Sequence, residues 1–138
     1  MKKDRTKPVY SETTSSIKVS VDPVYLDDQS DPEDFHYVWA YHVKIENLGA
    51  DTVQLLRRHW NITDSKGRTQ EVRGEGVVGE QPTLKPGESY EYTSGAPLST
   101  PSGFMVGTYQ MVTREGEHFS VAIPAFSLDS PYDVRVMN

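Results

Sequence analysis

Cysteine is absent from the 138 residues. Disulfides, thiolate metal sites and cysteine nucleophiles are thereby excluded, and the fold must hold by its core alone. Long apolar runs are lacking too: none approaches the roughly 20 residues that a membrane-spanning helix needs. The basic start (Lys2, Lys3, Arg5, Lys7) runs into Pro8 and a Ser/Thr-rich segment rather than an apolar stretch. No secretory leader or membrane association is therefore read, and a soluble cytoplasmic protein is expected. No segment sustains a 3.6-residue apolar stripe, which leaves strands as the building material. There is no G-x-S-x-G and no H-E-x-x-H. The chain is read as a non-enzyme without a cofactor.

Positive charge is scarce outside one place. The chain has 14 Lys and Arg against 20 Asp and Glu, for a net charge of −6. Residues 1–8 hold four basic and one acidic side chain, which leaves −9 on residues 9–138. An acidic body repels phosphate backbones, so nucleic acid is not an expected partner. The length suits one domain. Residues 1–14 read as a flexible N-terminal tail, 15–130 as a β-domain and 131–138 as a C-terminal tail.

What is present is period-two alternation. Ile17, Val19 and Val21 alternate with polar residues, and Tyr37, Trp39, Tyr41, Val43 and Ile45 do the same over a longer stretch. In a third strand Leu56, Trp60 and Ile62 fall on one parity, with Arg57, His59 and Asn61 on the other. A polar strand around Arg68 to Val72 suits a sheet edge. Tyr90 and Tyr92 share a face of the next strand. Met105, Tyr109 and Met111 then pair with Phe119, Val121 and Ile123 in a hairpin turning at Arg114–Glu117. Seven to eight short strands predict an all-β, immunoglobulin/fibronectin type III-like sandwich. Tyr109, two residues before Met111, has the spacing of a tyrosine corner or is a plain core tyrosine.

Gly74-Glu75-Gly76-Val77-Val78-Gly79 matches G-x-G-x-x-G letter for letter. That motif needs a buried strand before it and a helix after it, whose amides hold a pyrophosphate. Pro82, Pro86 and Gly87 forbid such a helix, since proline in a helix interior costs about 3 kcal/mol. The glycines read either as a bulge or turn at positive φ, or as a nest of loop amides at Gly74, Gly76 and Gly79 holding a small anion or nucleotide. An interaction loop for another ligand is the third reading.

The glycine stretch continues into Glu80-Gln81-Pro82, Leu84, Pro86-Gly87 and Tyr90-Glu91-Tyr92-Thr93-Ser94-Gly95. Thr100-Pro101, Gly103, Met105, Gly107, Tyr109, Phe119, Val121 and Ile123-Pro124-Ala125-Phe126 follow. Over roughly Ser15 to Leu128 this run resembles the ApaG (CorD) family. The resemblance implies the sandwich already read from alternation. It also implies links to cobalt resistance and magnesium efflux, protein-binding relatives, and a nucleotide or pyrophosphate role suggested for the glycine stretch.

Those implications direct attention to three sets of residues. If the apolar faces of strands two and three align, His42 and His59 become diagonal neighbours within reach of one transition metal. Arg57 would then stand opposite His42 and oppose a divalent cation, so no metal site is expected. Asp27, Asp28, Asp31, Glu33 and Asp34 fail the EF-hand pattern, with Pro32 at the glycine position, and read as a solvated loop. Val77, Val78 and Leu98 are apolar residues in loops, where a protein partner docks, or else plugs for the ends of the core.

Overall fold

Ile17, Val19 and Val21 are buried while Lys18, Ser20 and Asp22 keep solvent contact, and the same alternation builds the longer strands. The computed structural model describes residues 9–132 and places nine strands there. They are β1 (Tyr10–Thr14), β2 (Ile17–Tyr25), β3 (Tyr37–Asn47), β4 (Val53–Asp64) and β5 (Thr69–Glu75). After these come β6 (Thr83–Leu84), β7 (Ser89–Leu98), β8 (Gly103–Thr113) and β9 (His118–Leu128). One antiparallel sheet has the order β1-β2-β3-β7; the other has β5-β4-β8-β9, with β6 also paired to β4. The two sheets form the expected all-β sandwich. No helix among the described residues is long and apolar enough to cross a membrane.

β1 corrects the assignment of residues 1–14 to a flexible tail. Tyr10 to Thr14 pair with Val21 to Ile17 through a turn at Ser15 and Ser16, both at positive φ. The strand is polar and its turn has no glycine, asparagine or proline, so neither usual signal announces it. The tail assignments for residues 1–8 and 133–138 lie outside the described residues.

The third-strand parity also needs correction. Leu55 is 2% exposed, whereas Leu56 is only half-buried. A bulge sets Leu55 opposite Met111 and Arg57 opposite Gln110, so one extra residue flips the inward parity. Beyond it Trp60 faces in. A second irregularity, where Met105 meets Phe126 and Gly107 meets Ile123, absorbs Pro124 and Ala125 in β9.

Aromatic packing joins the sheets. Tyr41, Trp60 and Phe126 meet pairwise at ring separations of 5.4, 5.8 and 5.9 Å. Each such pair contributes about 0.5–1.5 kcal/mol beyond its buried area. The hydroxyls of Tyr92 on β7 and Tyr109 on β8 bond each other across the interior, and burial pushes both phenol pKa values upward. Tyr109 is therefore a core tyrosine bonded to a side chain, not a corner tyrosine bonded to backbone. Buried Asn47 donates to the carbonyls of Asp51 (2.8 Å) and Leu84 (3.0 Å) and accepts from the Gly49 amide (3.0 Å). It ties the crossing from β3 to β4 onto β6.

Candidate functional site

The glycine stretch forms the end of β5 and a tight reversal into β6. Val77 and Glu80 exchange backbone bonds of 2.8 and 2.9 Å, and the Gly76 amide donates to the Leu56 carbonyl at 2.8 Å. Val78 (φ 43) and Gly79 (φ 83) are the two central residues of this reversal, both left-handed as a type I′ turn requires. Each glycine has a structural cause. A Cβ on Gly74 would lie 2.7 Å from the Arg58 guanidinium, which rests there and donates to the carbonyls of Glu75 (3.1 Å) and Gly76 (2.8 Å). A Cβ on Gly76 would lie 2.2 Å from the Glu80 carbonyl oxygen. The amides of Gly76, Val77 and Glu80 are thus engaged by the chain's own carbonyls.

The three apolar loop residues separate. Val77 is 1% exposed and plugs the core, and Leu98 is half-buried against it. Val78 stands 56% exposed at the tip. Only Val78 of the three offers a contact surface. Beside it, Tyr90 donates to Glu80 at 2.7 Å, and its pKa is raised by partial burial and by that carboxylate. Sequence reasoning missed a comparable residue: Phe35, 71% exposed at φ 51, closes the 3-10 turn Pro32–Asp34.

A cleft of about 460 Å³ opens on the outer face of β5, β4 and β8. Two cross-strand rows build it: Glu75, Arg57 and Gln110, then Arg73, His59 and Thr108. Among the described residues the exposed Arg57 side chain makes no hydrogen bond or ion pair. Glu71 lies 2.9 Å from His59 Nε2 and 3.0 Å from an Arg73 nitrogen. The hydrogen bond with His59, then that with Arg73, holds its carboxyl below the usual glutamate range. The face is cationic in a body that is acidic. Its signal was present in the sequence as outward Arg57 and His59, but it required knowing that β5 pairs with β4 through the Asp64–Gly67 turn.

The histidine pairing is overturned. β3 and β4 belong to different sheets, because the chain crosses the sandwich after Asn47 instead of turning back. His42 lies on β3 with Asp22 and Thr93 as its cross-strand neighbours, 2.8 Å from Glu91 Oε1 and 2.9 Å from Thr93 Oγ1. His59 lies on the opposite sheet, and Arg57 is not opposite His42. No group of three or more metal-ligating side chains is brought together among the described residues.

The comparisons with known proteins bear on this geometry. The family model described as the ApaG domain matches residues 27–113, a span that includes β3 to β8, the glycine reversal and the cleft. The chain belongs to the ApaG family. It is 65% identical over 130 residues to Protein ApaG of Paramagnetospirillum magneticum, covering 94% of this chain and 100% of that one. Protein ApaG of Rhodospirillum centenum is 68% identical over 124 residues, with 90% and 95% covered. Among solved structures, the ApaA protein of Bordetella pertussis superposes with a TM-score of 0.82 at 50% identity, covering 92% of this chain and 98% of that one. The ApaG match leaves β1, β2 and β9 outside the family model, yet these strands complete both sheets here.

Proposed function

We propose that this ApaG-family chain is a cytoplasmic, non-enzymatic binding module that presents Val78 to a protein partner. The observation that carries this reading is the conformation of Val78. A β-branched residue at φ 43 costs roughly 1–3 kcal/mol relative to the asparagine or glycine that such a turn favours. Its side chain is exposed, so packing within the chain does not repay that cost. An apolar anchor held at the tip of a rigid reversal explains the choice. On this reading the links to cobalt resistance and magnesium efflux run through the partner. Affinity capture from the source cell's extract tests it, comparing wild type with Val78→Asp. A partner recovered by the wild type and lost by the variant supports the reading. A partner retained by Val78→Asp, or none recovered, removes it.

The cleft favours a second reading, a small-anion or nucleotide sensor. Arg57 and Arg73 supply the cationic contacts and His59 a hydrogen-bonding ring, rather than the engaged loop amides. Its volume falls within the range of ligand sites. Calorimetry with pyrophosphate, ATP and diadenosine tetraphosphate decides it. Heat that is lost in Arg57→Ala supports the sensor; no heat at millimolar ligand ends it.

A further inference from the structure

β1 and β7 end one sheet, and β5 and β9 end the other. β1 and β9 abut along one side of the sandwich: the Ala122 amide donates to Thr14 Oγ1 at 3.2 Å, and the Tyr10 and Phe126 rings meet at 6.2 Å. β5 carries Glu71, Arg73 and Glu75 within its seven residues, the kind of charge that guards an edge against pairing. β7 has no such guard. It is ten residues long, runs against β3 without a register shift, and has one charged residue, Glu91. His42 on β3 holds that carboxylate at 2.8 Å and the Thr93 hydroxyl at 2.9 Å, over the outer face of their own sheet.

The Asn47 amide donates to the Glu88 carbonyl at 2.9 Å, in line with the β3–β7 register. Bonded pairs recur at every second residue of an antiparallel ladder. Tyr90, Tyr92, Ser94 and Ala96 therefore turn their N–H and C=O toward β3. Ser89, Glu91, Thr93 and Gly95 turn theirs to the open edge. Pro97 falls in the second set, where a missing N–H costs β3 no bond. Those outward residues are exposed, and among the described residues no strand pairs with them from that side. We infer that this edge pairs with β7 of a second copy of this chain, antiparallel about a twofold axis at Thr93. That register sets Thr93 opposite Thr93, Glu91 opposite Gly95, and the Ser89 amide opposite the Pro97 carbonyl. The two Glu91 side chains stay apart, and a threonine pair is favourable across strands. The twofold closes the contact at two chains. Val78 and the cationic cleft take no part, so neither of those readings stands or falls with it.

The full chain is followed by analytical sedimentation over a concentration series, with amide hydrogen exchange read by NMR on the same samples. The mass is expected to rise from one chain toward two. Protection of the Glu91, Thr93 and Gly95 amides rises with it, while the Tyr92 and Ser94 amides, bonded to β3, are protected throughout. Thr93→Pro removes the N–H at the twofold from both copies and touches no backbone bond to β3. Losing those two hydrogen bonds weakens association about tenfold or more. Thr93→Lys keeps the backbone, sets like charges opposite each other and weakens association as well; it decides the matter where the proline variant does not fold. A single-chain mass up to millimolar protein overturns the inference. So does a dimer whose three edge amides stay unprotected, since the copies then meet elsewhere. Protection of those amides in the single-chain species overturns it too, because the edge is then already covered. Association unchanged in Thr93→Lys is equally fatal to it.

Discussion

Two chain reversals in this sandwich solve the same problem with opposite chemistry. Between β8 and β9 the chain turns on Arg114, Glu115 and Gly116, with Gly116 at φ 89 and the Thr113 hydroxyl accepting from the Glu117 amide. Polar residues and one glycine make an unstrained, solvated turn. Between β5 and β6 the chain uses Gly76, Val78 and Gly79 at positive φ, buries Val77 and exposes Val78. One tip follows turn chemistry throughout; the other departs from it at one residue. Departures of that kind are where a fold gives up local stability for something else.

The comparison breaks most visibly at its glycines. Gly76→Ala places a methyl 2.2 Å from the Glu80 oxygen, whereas nothing lies within 4 Å of the same methyl on Gly116. Urea unfolding is expected to show a loss of about 3 kcal/mol for Gly76→Ala and about 1 kcal/mol for Gly116→Ala. Equal losses would erase the distinction. Next in size is Gly74→Ala, which displaces the Arg58 guanidinium from two carbonyls and costs about 1–2 kcal/mol. Arg58→Met in the same background should then recover part of that loss, since the shorter, uncharged chain no longer needs the space.

A smaller change has the opposite sign. Val78→Asn relieves the left-handed valine and raises stability by about 1 kcal/mol while removing the anchor, so melting and partner capture should move in opposite directions. The smallest effect lies on the β5 arm of the strained tip. Glu71 has a lowered pKa in the fold, so its contribution is present above the ordinary glutamate range and is lost as pH falls through the folded value. Glu71→Gln flattens the acid limb of stability measured by urea titration.

Alternation alone located the long strands, because each buries one face and a period of two leaves no other register. It failed at Leu56, where a bulge shifts parity by one residue and nothing in the letters marks the insertion. It failed at β1, a polar strand held by pairing rather than by burial. The histidine pairing failed for a topological reason: Leu48 to Thr52 read equally well as a hairpin turn or as a crossing between sheets, and Asn47 anchors the crossing. Of the glycine stretch, the absence of a following helix was legible. Its true occupant was not, since the Arg58 side chain reaches it from the neighbouring strand.

The guanidinium seated over Gly74 also constrains how this family can vary. Any side chain at position 74 competes for the volume that the Arg58 guanidinium occupies, so the two positions are coupled. A lineage that replaces the glycine while keeping Arg58 moves the guanidinium off the Glu75 and Gly76 carbonyls. Aligned descendants should therefore be enriched in arginine with glycine, or a small residue at 58 with freedom at 74, over arginine with a larger residue at 74.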